Sequence, residues 1–345
     1  MEYFRYMVDM LSERGAPHIR VFGGGGGTIT PEEIAELHAY GVERIYHPND
    51  GMAMGLVAMI EDLVGRTYAA RLSRPPAAAV PSMLGAESED LPSETTIAAT
   101  LSAIENGAIP ETELSTLRKQ WQLAGGRTPV IGLTGTGGAG KSSVTDELMN
   151  RFLAAFDLMR IAVISVDPTR RRTGGARLGD RIRMNALRSP RVFMRSMATR
   201  RQHVATNIVL KDCVAYLRSL GFDLVMVETA GIGQSDSEIV DLVDFPVYVM
   251  TSDFGAPSQL EKIDMLDFAE LVVLNKFDRR GAEDALRDVR KQWKRNRNAF
   301  SLADADVPVY PTIASQFNDP GVSWMFTNLC RLVRDKLGLS GVSGQ

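Results

Sequence analysis

Gly135-Thr136-Gly137-Gly138-Ala139-Gly140-Lys141-Ser142 is the stretch whose reading decides the fold. It fits G-x-x-x-x-G-K-[ST], with an apolar β-type run before it (residues 130–134) and a helical pattern after it (143–156). The spacing has a chemical reason. Glycines let backbone N–H groups converge on phosphate oxygens, and the following helix adds the partial positive charge of its N-terminus. On this reading Gly137, Gly138, Ala139 and Gly140 wrap the phosphates. Lys141 reaches the β- and γ-phosphates, and the Ser142 hydroxyl ligates Mg²⁺.

Outward from this loop, β-type runs alternate with helical ones over residues 128–337. The strands are expected at 130–134, 160–166, 222–228, 245–251, 271–275 and 307–312. That alternation predicts a P-loop α/β domain with a doubly wound, mostly parallel sheet. The run at 271–275 ends in Asn275-Lys276-Phe277-Asp278, which fits N-K-x-D. Asp278 can accept from the ring N–H and the exocyclic amine of guanine together, a pair that adenine does not offer. Lys276 would lie along the base, Phe277 fills the variable place, and Asn275 would brace the loops. Alone, four residues can equally be a polar turn. After a phosphate loop in the same chain they point to GTP and GDP.

Two acidic residues close strands between these motifs, Asp167 and Glu228, where open α/β sheets bind ligands. Both are candidates for the Mg²⁺ shell, as is Asp180. Glu228 departs from the Asp most such enzymes carry. Lys141, Glu228 and Gln234 are the candidate catalytic residues. Gln234 stands two residues beyond the place where Ras-like enzymes put a water-orienting Gln, so slow turnover or activation by a partner is expected. Residues 170–201 hold eleven arginines and one acid, Asp180. The stretch reads as a phosphate-facing switch surface or as a solvated basic face. A net charge of −3 and a lone aromatic, Phe193, speak against nucleic acid. Near the end, Thr312-Ile313-Ala314 matches a base-contacting loop only loosely.

The rest of the chain supplies context. With 345 residues, 44% hydrophobic and 23% charged, it has the composition of a globular protein of about two domains. Two cysteines suit a reducing compartment, and the apolar runs are too short for a membrane span. A cytoplasmic protein is expected. Residues 1–70 read as helix, strand, glycine loop (23–27), helix, strand and helix. Thr30, Pro31 and Glu33 form a capping-box start to the middle helix. Residues 71–127 read as a linker and a small helical lead-in, and residues 338–345 as a tail.

The motifs in combination resemble a family. Residues 132–142, Asp167-Pro168, Gly174-Gly175, the run from Leu178 through Asp180 and Arg183 to Met184, and residues 228–235 (Glu-Thr-Ala-Gly-Ile-Gly-Gln-Ser) are similar to the GTPase chaperones of cobalamin-dependent acyl-CoA mutases. The resemblance implies that Asp167, Asp180 and Glu228 share the Mg²⁺ shell and that Arg183 contacts nucleotide. It also implies an acyl-CoA mutase domain or subunit as partner and gating of adenosylcobalamin loading. A homodimer is expected.

The glycine loop followed by Thr30-Pro31-Glu32-Glu33-Ile34 resembles the C-terminal half of a flavodoxin-like cobalamin-binding domain. Gly23, Gly24 and Gly25 are then cobalamin candidates, with a plain flexible turn as the other reading. A cobalamin domain preceding this GTPase is the order in the fused isobutyryl-CoA mutases. No mutase barrel and no cobalt-ligating Asp-x-His-x-x-Gly segment is recognisable, so mutase activity is not expected of this chain alone, and cobalamin binding is expected to be weak. Two alternatives stay open: a GTP-dependent switch module, and a metallochaperone NTPase for another metalloenzyme. The second would need clustered Cys and His at ligand spacing, which the sequence does not offer.

Overall fold

A computed structural model of the chain describes residues 2–24, 29–72, 91–168, 184–199, 203–229, 239–255, 257–261 and 263–337. It divides into two compact units, residues 1–100 and 101–345.

The first unit begins with α1 (Glu2–Glu13), β1 (Phe22–Gly24), α2 (Pro31–Tyr40), β2 (Arg44–Tyr46) and α3 (Pro48–Leu72). β1 and β2 pair in parallel, Gly23 opposite Ile45. The capping box at α2 is formed as expected: Glu33 N–H donates to Thr30 Oγ1 at 3.3 Å, and Thr30 N–H donates to the Glu33 carboxylate at 2.8 Å. α3 is broken at Gly55, whose φ of 75° is outside helical space. The core here is small, Val21, Leu37, Val42 and Ile45, with Phe4, Val8 and Ile34 packed against it. α3 leaves Met52, Leu56, Val57 and Val64 largely exposed.

The boundary between units falls within α4 (Glu94–Glu105), and α5 (Glu111–Ala124) follows. The second unit then runs β3 (Val130–Gly135), α6 (Lys141–Ala155), β4 (Ile161–Pro168), β5 (Val192–Thr199), α7 (His203–Ser219), β6 (Leu224–Thr229) and β7 (Phe245–Met250). After two short helices, α8 (Pro257–Leu260) and α9 (Met265–Phe268), come β8 (Leu271–Asn275), α10 (Ala282–Asn296), β9 (Val309–Thr312) and α11 (Pro320–Leu337). The seven strands form one sheet in the order β5-β4-β6-β3-β7-β8-β9. Every pairing in it is parallel.

Such a sheet must be covered on both faces, which is why its strands read as continuous apolar runs. One face places Ile131, Leu133, Val163, Met226, Val247 and Val273 in a single core with Leu148 and Phe152 of α6 and Val322 and Met325 of α11. The alternate positions, among them Ile164, Val225, Val227 and Leu274, are equally buried, as are Val214 and Leu217 of α7 and Val289 of α10. The P-loop α/β fold with a parallel, doubly wound sheet is therefore as the sequence leads one to expect.

One strand was not expected. Residues 192–199 lie in the arginine-rich stretch, yet they form the edge strand β5, paired with β4 from Ile161↔Val192 to Pro168↔Thr199. Two of the stretch's described arginines, Arg191 and Arg195, are bonded within the protein. Arg191 donates to the carbonyls of Phe156 and Leu153, at 2.8 and 3.0 Å. Arg195 reaches Ser102 Oγ at 3.0 Å and Glu105 Oε2 at 2.9 Å.

Candidate nucleotide site

The site is assembled at the C-terminal ends of the central strands, where a doubly wound sheet leaves its crevice. β3 runs into the loop that precedes α6. Gly135 has a φ of 144°, and a Cβ there would stand 1.8 Å from the Val249 carbonyl oxygen of the neighbouring strand. Both atoms belong to paired strands, so neither can yield, and only glycine fits. Gly140 starts α6 at a φ of 88° without a side-chain cap, and a Cβ on it would meet Asn275 Nδ2 at 2.5 Å. The first-turn N–H groups of a helix have no carbonyl four residues back, so this uncapped end suits an anion.

Lys141 is 7% exposed, and its ammonium is bonded to the carbonyl oxygens of Gly135 and Thr136, each at 3.0 Å. It stands at the mouth of the loop formed by Gly137, Gly138, Ala139 and Gly140. Ser142 Oγ donates to Glu228 Oε1 at 2.6 Å. Glu228 lies opposite Leu133 in β3 and Ser165 in β4, and is 5% exposed. A serine hydroxyl has one donor and two lone pairs, so donating to Glu228 leaves an oxygen lone pair for a cation. Among the described residues no cluster of three His, Cys, Asp or Glu stands at metal-binding spacing. Two hard oxygen donors beside a phosphate loop nevertheless fit Mg²⁺, which keeps several waters and takes further oxygens from phosphates.

Asp167 is in β4, opposite Ala198 of β5 in register, at the same end of the sheet. Asp180, Arg183 and Gln234 lie outside the described residues, as does Gly25.

The N-K-x-D segment leaves the sheet at the end of β8. Asn275, 2% exposed, is its keystone. Its amide donates to the Ala139 carbonyl at 2.8 Å, tying it to the phosphate loop. Its Oδ1 accepts from Thr312 Oγ1 at 3.1 Å and from the Ala314 N–H at 3.0 Å, tying it to the end of β9. Lys276 adopts a left-handed φ of 57°, uncommon for a residue with a side chain. Its ammonium bonds the Gly138 carbonyl at 2.7 Å. Phe277 N–H donates to the Thr312 carbonyl at 3.0 Å, and Asp278 is exposed to solvent. The fold thus brings residues of two motifs that are distant in sequence into contact.

Two contributions were missed or undervalued in the sequence. The loose match at Thr312-Ile313-Ala314 proves to be the brace for Asn275. Thr229 Oγ1 also bonds Thr134 Oγ1 at 2.8 Å, joining the strand ends that flank the loop. Isolated threonines in β runs carry no signal by which sequence alone could pair them.

In the first unit, Gly23 and Gly24 belong to β1. A Cβ on Gly23 would collide with the Phe4 ring at 2.5 Å and with Ile45 Cδ1 at 2.6 Å. Packing of the chain's own side chains therefore accounts for that glycine.

Comparison with known proteins follows the same division. The family described as methylmalonyl Co-A mutase-associated GTPase MeaB matches residues 97–330. A fused isobutyryl-CoA mutase of Cupriavidus metallidurans is 51% identical over 344 residues, covering 99% of this chain and 30% of that protein. The fused isobutyryl-CoA mutase of Geobacillus kaustophilus is 48% identical over 345 residues, covering 98% of this chain and 31% of that protein. GTPase ArgK of Escherichia coli is 35% identical over 160 residues, which cover 44% of this chain and 46% of ArgK. The chain spans less than a third of the length of the two fused mutases it resembles along almost its whole extent. On the family match and these identities, the chain belongs to the methylmalonyl-CoA mutase-associated GTPases of the MeaB type.

Proposed function

We propose that the chain binds and hydrolyses GTP with Mg²⁺, and that this cycle gates adenosylcobalamin loading and protection of an isobutyryl-CoA-type acyl-CoA mutase. The observation that carries the nucleotide half is the Asn275 brace, because it holds the guanine-reading segment directly against the phosphate loop. Asp278 selects guanine through two N–H groups. Lys141 exchanges its loop carbonyls for β- and γ-phosphate oxygens, and the first-turn amides of α6 hold the phosphates in place. Ser142 and Glu228, with Asp167 and Asp180, would hold Mg²⁺, which when bound would supply positive charge beside the phosphates. Gln234 orients the attacking water, and Arg183 contacts the nucleotide.

The mutase half rests on the relatives. Proteins named fused isobutyryl-CoA mutase contain a segment about half identical to this chain. The family's own description names a mutase as associate. Through the mutase, in the same polypeptide or another, adenosylcobalamin supplies radical chemistry, and no step of it is assigned to this chain's residues. Homodimerisation belongs to the same proposal.

The test combines two assays on the chain mixed with an acyl-CoA mutase lacking its own GTPase. Phosphate release from GTP should require Mg²⁺ and respond to the mutase, and adenosylcobalamin transfer to the mutase should depend on GTP. Hydrolysis indifferent to the mutase, with loading indifferent to GTP, would leave only a free-standing GTPase.

A further inference from the structure

The crevice beside Glu228 opens at a defined point in the sheet. The ladder between β3 and β6 runs in register from Val130↔Val225 to Leu133↔Glu228 and ends there. Past that pair the two strands keep different neighbours. β3 stays with β7 through Thr134↔Tyr248 and Gly135↔Val249, and the Thr136 N–H donates to the Val249 carbonyl at 3.2 Å. β6 stays with β4 through Ser165↔Glu228 and Val166↔Thr229. Main-chain pairing therefore stops setting the distance between β3 and β6 at the residue that carries the candidate metal carboxylate.

A side-chain bond spans the strands at that point. Thr229 Oγ1 donates to Thr134 Oγ1 at 2.8 Å, one residue past the last ladder pair on each strand. Thr134 is fully buried. The next residue, Gly135, gives a carbonyl that accepts from the Lys141 ammonium at 3.0 Å. Thr229 follows directly on Glu228, whose carboxylate accepts from Ser142 Oγ at 2.6 Å. Side chains alternate along a strand, so the two hydroxyls meet on the face opposite the Glu228 carboxylate and act on it through the main chain. Apolar side chains would fill the same space, but a hydroxyl pair also fixes a distance. We infer that Thr134 and Thr229 are positioning residues: their bond sets the width of the crevice between β3 and β6, and with it the place of Glu228 relative to Ser142 and the affinity for Mg²⁺. This inference rests on the proposed function, which gives Ser142 and Glu228 to the metal, and deepens it.

The experiment measures GDP binding by the full chain in EDTA and over a range of Mg²⁺ concentrations, with thermal unfolding to confirm that each variant is folded. Thr134→Val and Thr229→Val keep the side-chain shape and remove one hydroxyl. Either should raise the Mg²⁺ concentration for half-maximal effect about fivefold, the weight of one hydrogen bond, while GDP affinity in EDTA stays within about twofold. Thr229→Ser keeps the hydroxyl and should leave the Mg²⁺ curve in place. The double variant Thr134→Val with Thr229→Val should shift the curve no further than the single variants, because both remove the same bond. If Thr134→Val fails to fold, Thr229→Val and Thr229→Ser carry the comparison.

An unmoved Mg²⁺ curve in folded Thr229→Val overturns the inference. So does a shift in Thr229→Ser equal to that in Thr229→Val, which would trace the effect to packing. A matching loss of GDP affinity in EDTA also overturns it, since the pair would then serve the fold alone. Wild-type protein that binds no GDP, or binds it without response to Mg²⁺, overturns the proposed function and this inference together. A wild type that responds to Mg²⁺, with variants that do not differ from it, overturns the inference alone.

Discussion

At the scale of single residues, the site depends on atoms that satisfy two partners at once. Asn275 is the clearest case: one amide bonds the phosphate loop through Ala139 and the β9 end through Thr312 and Ala314. Replacing it by Ala removes three hydrogen bonds and leaves buried groups without partners, each costing about 1–3 kcal/mol. Asn275→Ala should lower the melting temperature and weaken GDP binding by more than about tenfold. Thermal unfolding and fluorescent-GDP titration check the two effects separately. A variant with lowered stability and normal GDP affinity would show that the brace serves the fold alone. Candidate residues at such positions were legible because the chemistry would dictate the residue type: Lys141, Ser142 and Asp278 are what phosphate, Mg²⁺ and guanine would demand. The partners of Asn275 were not, because any hydroxyl and any N–H would serve.

At the scale of elements, most of the sheet could be read from the sequence, and the reason is burial. A strand covered on both faces shows as an apolar run, so Leu271–Asn275 was legible to the residue, and the strands beginning at Val130 and Phe245 nearly so. β5 escaped because an edge strand tolerates polar positions, and Arg191 and Arg195 disguise it as a basic surface. Its one arginine, Arg195, is used structurally, which yields a prediction. Arg195→Met should strand Glu105, whose side chain is 10% exposed, without its charge partner. Removing one member of a fully buried pair costs about 3–5 kcal/mol, and the partial exposure of Arg195 reduces that here. A urea midpoint lowered with an unchanged slope would match that cost. Unchanged stability would mean that Arg195 is solvated after all.

At the scale of the whole molecule, the two units differ in how much core they own. Among the described residues of 1–70, one cluster of four buried apolar side chains stands beside a two-stranded sheet, and α3 leaves a row of large apolar residues in water. The second unit has seven strands covered on both faces. Limited proteolysis should therefore cut within residues 1–70 before 128–337, and equal rates would contradict the contrast. The two cysteines probe the second unit from inside. Burial pushes the Cys213 thiol up to about 12 and that of Cys330 up to about 11. Both should react slowly with a disulfide reagent at pH 8 and rapidly once guanidinium unfolds the chain. Among the described residues no helix is long and apolar enough to cross a membrane.

Everything proposed for the molecule passes through its choice of nucleotide, so calorimetric titration of GDP and ADP in Mg²⁺ tests it most directly. With Asn275 and Lys276 bonded to the phosphate loop, the guanine-reading role proposed for Asp278 predicts GDP binding at least about a hundredfold tighter than ADP, with Asp278→Asn erasing most of that difference. Comparable affinities for GDP and ADP in the wild-type chain would contradict the account at its centre.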